Sequence, residues 1–409
     1  MVEYDAKKYI KSFESAQKVL QLSKDPGSYF NAGRAAYKAN ELALSKEYLQ
    51  KAMDLDPKNS SYILDYAVTV CTMGDFDGAL KIIENIDKSE LDDIHKKIVD
   101  FNKGWHYVRQ GKFKEGMALI NLGRTINVWG SDSRKWKKPR WDGENKPGKT
   151  ILIAGEGGIG DEVINARFGQ TIKERGMKAI MSTVHKNTSM LSSVPCIDKV
   201  IDDKDIENTD FDYWVPCMDM PFALEIESHE IPQGTYLKAK QEYIDKWKPI
   251  IKGRTDSGRK LNIGIRWMGN PRYELELART IPIEYFEMLK HDGVSLYSLQ
   301  KDDGIKNLAL PRGVINIADQ LENWDDTMGA MANLDLIITS CTSIAHVAGA
   351  LGRPTWVVTP LLPYYTWADM KKESCWYGSV SLYRQKVWKD WSHPFTEIQH
   401  DLTKLLEVL

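Results

Sequence analysis

Three stretches of this chain carry residues whose types and order could do chemistry. The first is Gly155-Glu156-Gly157-Gly158-Ile159-Gly160-Asp161-Glu162. It follows the apolar run Ile151–Ala154 and precedes Val163, Ile164, Ala166, Phe168 and Ile172 at helical spacing. Strand, glycine turn and helix is the local order by which α/β sheets bring backbone N–H groups up to a ligand. This turn also places two carboxylates, Asp161 and Glu162, where the helix begins. Negative charge there opposes a pyrophosphate, but it suits removal of a proton from a hydroxyl that the glycines allow to approach. The bland alternative is that Asp161 only stabilises the helix start.

The second stretch runs from Leu334 to Pro354, where an apolar strand ends in Thr339-Ser340-Cys341-Thr342-Ser343 and a small-residue helix with His346 follows. Thr342 or Ser343 is a natural N-cap, and the helix start with its hydroxyls forms an anion site at the carboxyl edge of a sheet. His346 falls on the same helix face as Thr342 or Ser343, as a ligand contact or as a packed histidine. The third stretch is Gly264-Ile265-Arg266-Trp267-Met268-Gly269-Asn270-Pro271, leading through a charged loop to Arg279-Thr280-Ile281-Pro282. Its cations Arg266, Arg272 and Arg279 suit phosphate oxygens.

Two textual matches mislead. Gly143 to Thr150 fits the P-loop pattern, yet it follows a polar Trp/Lys/Arg segment and runs into a strand instead of a helix. Gly155-x-Gly157-x-x-Gly160 fits the dinucleotide fingerprint, but the ribose-binding acid is missing and Ser182-Thr183-Val184-His185-Lys186 stands in its place. No His/Cys/Asp cluster has metal-ligand spacing.

Elements must position these stretches. Residues 1–127 read as helical repeats: Gly33, Ala67 and Gly104 align, as do Ser45, Ala79 and Gly116. Turns at Asn40-Glu41, Gly74-Asp75 and Gly111-Lys112 separate the paired helices, and residues 5–24 read as a leading amphipathic helix. The pattern resembles the tetratricopeptide repeat, a module that offers a surface to a partner or packs on a neighbouring domain. After a Trp/Lys/Arg-rich lead-in from Val128, strands and helices alternate, with a polar linker at 245–260 and a closing amphipathic helix from Phe395. The expected domains are 1–127, 128–250 and 251–409.

Composition bounds the rest. The 409 residues are 42% hydrophobic and 27% charged, an ordinary balance for a globular protein. A net charge of -2 gives no global reason to bind nucleic acid or membrane. The five scattered cysteines argue against a disulfide framework, and the polar start with no long apolar run makes the cytoplasm the expected address.

Taken together, the Gly155–Glu162 turn, Arg266–Pro271, Arg279–Pro282, Ser298–Gln300 and Thr342–Pro354 resemble the heptosyltransferase-type glycosyltransferases, over residues 141–390. Trp376 to Gln385 adds to the match. The resemblance implies a fold of class α + α/β: helical repeats, then a GT-B pair of Rossmann-like lobes with acceptor on the first and nucleotide-sugar donor on the second. It implies inverting, metal-independent transfer to an acceptor hydroxyl, with no cofactor and with Asp161 as base. Gly157, Gly158, Gly160 and Glu162 would form the acceptor-side turn. Arg266, Trp267, Asn270, Arg279, Gln300, Thr342, Ser343 and His346 would hold the donor. Cys341 departs from the aspartate usual in heptosyltransferases. The acceptor could be a protein, a glycan or a modified nucleic-acid base, and the repeats could recruit a protein partner or a second copy. The competing reading is a non-catalytic repeat scaffold with a degenerate GT-B domain.

Overall fold

The computed structural model describes residues 2–89, 91–130, 136–185, 187–251, 261–270, 276–301, 310–368 and 371–408. The chain begins with α1 (Val2–Leu22), which packs on the first of three helical hairpins. These are α2 (Pro26–Lys38) with α3 (Leu42–Leu55), α4 (Ser60–Thr72) with α5 (Phe76–Glu84), and α6 (Asp93–Arg109) with α7 (Phe113–Leu122). Asp25, Asn59 and Asp92 cap α2, α4 and α6 by accepting backbone N–H groups of Ser28, Ser61 and His95. Each hairpin turns through a left-handed residue: Asn40 at φ 65°, Gly74 at 97° and Gly111 at 80°. The small residues that align between repeats mark close helix crossings. A methyl on Gly33 would meet Leu49 Cγ at 2.6 Å, and one on Gly104 the carbonyl oxygen of Gly116 at 2.8 Å.

The first lobe contains β1 (Thr150–Ala154), α8 (Ile159–Ala166), α9 (Gly169–Glu174), β2 (Lys178–Thr183), α10 (Thr188–Leu191), β3 (Lys199–Asp202), β4 (Tyr213–Pro216) and α11 (Met220–Ala223). Its strands are all parallel, in the order β3-β2-β1-β4. After α12 (Gln241–Ile251), the second lobe follows with β5 (Leu261–Arg266), α13 (Glu276–Arg279), β6 (Val294–Ser298), β7 (Val314–Asn316) and α14 (Trp324–Asn333). It ends with β8 (Leu336–Ser340), α15 (Ser343–Ala350), β9 (Thr355–Thr359), β10 (Val380–Arg384) and α16 (Ser392–Val408). Its six parallel strands run β10-β9-β8-β5-β6-β7. Counted within the lobe this is the order of dinucleotide-binding folds, with the direction of winding reversing between β5 and β8. Ligands of such sheets bind beyond the carboxyl ends of the strands at that reversal. The edge strands β3 and β10 carry no clear apolar alternation and were not expected from the sequence.

Two boundaries differ from the sequence reading. Placing the first lobe's end at residue 250 assigns α12 to that lobe, yet α12 packs on the second. Trp247 and Lys246 both donate to the buried Asp326 of α14, at 3.1 and 2.6 Å. Asn333 donates to the Ile244 carbonyl, and the Tyr297 hydroxyl to that of Ile251. Of the expected linker, residues 245–251 are therefore helix, and 252–260 lie outside the described residues. The repeats also do not stop at a hinge. Val108, Phe113, Met117 and Ile120 of the third hairpin share one apolar core with both lobes, and Phe113 packs edge-on against Trp376. Closing helix α16 buries Phe395, Ile398, Leu402 and Leu406 against the second lobe. Among the described residues no helix is long and apolar enough to cross a membrane.

Candidate active site

A cleft of about 990 Å³ opens between the lobes, at the carboxyl ends of their strands. The first-lobe wall is the glycine turn. Gly157 adopts φ 72°, and a side chain there would strike the Asp161 carboxylate at 2.7 Å and Met218 Sδ at 2.9 Å. The Gly158 N–H donates to Asp161 Oδ2 at 2.7 Å, which turns the carboxylate back over the helix start. The Tyr364 hydroxyl, from the loop after β9, donates to the same carboxylate. Asp161 is half-buried on the cleft. Burial pushes its pKa up to about 6, the charges of Glu156 and Glu162 add to the rise, and the two hydrogen bonds hold it back.

Gly160 serves a different purpose. A methyl there would meet His346 Cδ2 at 2.7 Å, so the missing side chain lets α8 of the first lobe seat against α15 of the second. His346 stacks on Trp367 with ring centroids 4.8 Å apart, and its Nδ1 lies 3.1 Å from the Tyr377 hydroxyl. Burial, with Arg167 and Arg279 nearby, lowers its pKa to about 3, so the ring is neutral. Arg167 closes the same contact. It is buried, faces the Tyr236, Trp376 and Tyr377 rings, and donates to the Trp376 carbonyl.

The opposite wall is built at the β5/β8 reversal. Thr342 is the N-cap residue of α15, but its hydroxyl makes no cap bond and is buried without a hydrogen-bond partner. Ser343 stands beside it on the cleft. Arg279 donates to the Cys341 carbonyl at 2.9 Å and to Glu276 Oε2 at 2.6 Å, while Glu276 accepts the Gly269 N–H. Gly269 leaves the space this guanidinium occupies: a methyl would lie 2.5 Å from Arg279 Nη2. The Cys341 thiol is buried and its pKa is pushed up to about 11, so it is neutral. Arg266 lines the cleft while donating to the Met268 carbonyl at 3.0 Å, and Asn270 is exposed on the rim.

The cleft therefore collects Gly157, Gly158, Gly160, Asp161, Arg266, Asn270, Arg279, Thr342, Ser343 and His346. Three expected site residues are corrected. Trp267 is 2% exposed and packs against Phe286 in the second-lobe core, because it continues the inward face of Leu261, Ile263 and Ile265 just past the end of β5. Gln300 is likewise buried; its Oε1 accepts the N–H groups of Trp267 and Met268, so it braces the end of β5. Glu162 points away from the cleft and fastens the end of β2, accepting Thr183 Oγ1 at 2.6 Å and the Val184 N–H at 2.8 Å. Arg272 lies outside the described residues. Sequence reasoning missed Tyr364, His185, Lys301 and Trp324, which also line the cleft, because single polar or aromatic residues in loops or at a helix start carry no periodic signal.

Nor did it find Arg124, in the turn after α7. Buried to 1% exposure, Arg124 donates to both oxygens of Glu156 at 2.7 and 3.0 Å and to Asp219 Oδ1 at 2.6 Å. Glu156 belongs to the turn that carries Asp161, so the repeats grip that turn directly.

This arrangement defines a tetratricopeptide-type array fused to a GT-B-type pair of Rossmann-like lobes. No family model matches the chain. It is 22% identical over 432 residues to the protein FlbA of Caulobacter vibrioides, covering 88% of this chain and 70% of that one. Among solved structures it is similar to a glycosyl transferase family 9 protein from Veillonella parvula, with TM-score 0.45 and 10% identity over 65% of this chain and 98% of the other. It is also similar to the ADP-heptose LPS heptosyltransferase II of E. coli, with TM-score 0.45 and 14% identity over 64% of this chain and all of the other.

Proposed function

We propose that the chain is a nucleotide-sugar-dependent glycosyltransferase that works by single displacement with inversion. The observation that carries this reading is the placement of Asp161, a half-buried carboxylate with its pKa raised to about 6, across one cleft from an anion-suited helix start. At neutral pH such a group is mostly ionised, yet it is a stronger proton acceptor than an ordinary carboxylate. An acceptor hydroxyl gives its proton to Asp161 as its oxygen bonds the anomeric carbon. The bond from that carbon to the phosphate oxygen breaks, and its electron pair leaves with the nucleoside diphosphate.

The growing negative charge on the leaving group faces the N-terminus of α15, the Thr342 and Ser343 hydroxyls and Arg279. In this scheme these groups take the part that a metal ion plays elsewhere. Glu276 shares the Arg279 guanidinium and so fixes its direction while reducing its net charge. Trp324, half-buried at the N-terminus of α14, offers an aromatic face to a base or sugar at the far end of the cleft.

The test pairs wild type with Asp161→Asn against a panel of UDP-, GDP-, ADP- and CMP-sugars, reading thermal shift and nucleotide release. One nucleotide class is expected to stabilise both proteins alike, with release lost only in the variant. Full turnover by Asp161→Asn removes Asp161 as the base.

A further inference from the structure

The repeats reach the reacting group through a second route, independent of the Arg124 grip on the glycine turn. Trp105 lies on α6, in the first helix of the third hairpin. Its ring is 6.0 Å from that of Tyr364 and 6.3 Å from that of Tyr365, and it is braced edge-on by Trp129 at 5.6 Å. Tyr364 and Tyr365 pack against each other at a tilt, with ring centroids 4.7 Å apart. Tyr364 is thus an aromatic held on one side by a repeat helix, with its hydroxyl directed to the Asp161 carboxylate at the edge of the cleft.

We infer that Tyr364 is the positioning residue of Asp161 and that Trp105 of the third repeat holds Tyr364 in that role. The inference rests on the reading of Asp161 as general base. A carboxylate with one backbone donor can still rotate about its terminal torsion; a second donor from a fixed ring selects one rotamer. The repeat module then forms part of the reaction site, and a protein bound to the repeats would reach the chemistry through the Trp105–Tyr364 contact. The ionisable groups around Asp161 are Glu156 on its own turn, Glu162 one residue on, Cys217 after β4, Tyr364 and Tyr365 after β9, and His346 across the lobe contact. Of these, Tyr364 is the one that donates to the carboxylate.

The experiment is a carboxyl ¹³C NMR titration of the full chain labelled at aspartate, with Asp161→Asn identifying the Asp161 resonance. Tyr364→Phe keeps the ring and removes the donor, so the Asp161 midpoint is expected to rise from about 6 by roughly half to one pH unit. Trp105→Ala is expected to move it the same way, and Trp105→Phe to restore it. A residue that is merely structural would lower the melting temperature and leave the titration alone. An unmoved midpoint in Tyr364→Phe overturns the positioning role, and an unmoved midpoint in Trp105→Ala overturns the role of the repeat. Full turnover by Asp161→Asn, read separately on nucleotide sugars, overturns the general-base reading and with it the catalytic meaning of the contact.

Discussion

Replacing Arg124 by alanine tests whether the repeats and the two Rossmann-like lobes are one structural unit. The guanidinium lies between Glu156 and Asp219, all three side chains being at most 3% exposed, with Nε, Nη1 and Nη2 all engaged. Arg140 also pairs with Asp219, so Asp219 keeps a cation in the variant. Stranding a buried charge by removing its partner typically costs about 3–5 kcal/mol. A carboxyl group of ordinary acidity can escape by taking a proton, at about 4 kcal/mol for pH 7, which sets the ceiling. The loss should therefore be about 3–4 kcal/mol at pH 7.5, a large fraction of the ~5–15 kcal/mol net stability of a typical domain. It should also depend on pH. The folded variant holds a proton that its unfolded chain releases near pH 4, so its stability falls by about 1.4 kcal/mol per pH unit above that value until the proton leaves. The deficit against wild type should thus shrink by about 1–3 kcal/mol on going from pH 7.5 to 5.5. Urea unfolding followed by tryptophan fluorescence and circular dichroism at both pH values measures it. Arg124→Lys should recover only part, because an ammonium cannot form the paired bonds to Glu156. A loss below about 1 kcal/mol at pH 7.5, or one independent of pH, would refute the reasoning.

The remaining predictions concern the cleft. Asp161→Asn should be more stable than wild type above pH 6, by about 1–3 kcal/mol, because the raised folded pKa penalises ionisation. That gain should vanish below pH 4, where both states of the wild type are protonated; a melting curve that shows no gain at pH 8 contradicts the raised pKa. Arg279→Ala should weaken binding of the stabilising nucleoside diphosphate by about tenfold or more in calorimetry, and unchanged affinity would remove the guanidinium from the donor site. Gly160→Ala should cost about 1–3 kcal/mol, because its methyl meets His346 at the lobe contact. Adding His346→Ala should recover most of that loss, and purely additive effects would show that the two positions do not touch.

Much of the frame is legible in the chain because it is written in periodic or punctuated form. The runs Thr150–Ala154, Tyr213–Pro216 and Thr355–Thr359 read as strands from sequence alone and are β1, β4 and β9, since each is a short apolar run ended by a turn signal. The aligned Gly33, Ala67 and Gly104 reveal the repeats because a helix crossing tolerates only small residues. The cleft residues that were legible, Asp161 and Thr342–Ser343, sit where a strand breaks into a helix, a position that sequence order itself specifies. What was not legible depends on direction. Trp267 and Asn270 share one segment, yet the first turns into the core and the second to the rim, and residue type does not reveal which. Glu162 and Asp161 are adjacent carboxylates with opposite destinations, separated by one helical step of about 100°. Arg124, Trp105 and Tyr364 act only through contacts between distant segments, for which a single sequence holds no signal.

The shared core of the third hairpin has a consequence for where this protein could be cut or recombined. A naive boundary at residue 127 would strip Val108, Phe113, Met117 and Ile120 from the lobes, uncover Tyr365 and Trp376, and remove both the grip on Glu156 and the support of Tyr364. A pair of lobes released there would be a broken domain with an apolar wound. The milder seam lies between α5 and α6, where the lobe contacts among the described residues are Leu362 against Val70, Cys71 and Ala79, Leu361 beside Gly74, and the exposed Lys389–Glu41 pair. Helices α1 to α5 are the more exchangeable part, whereas α6 and α7 look like repeats yet pack as part of the lobes.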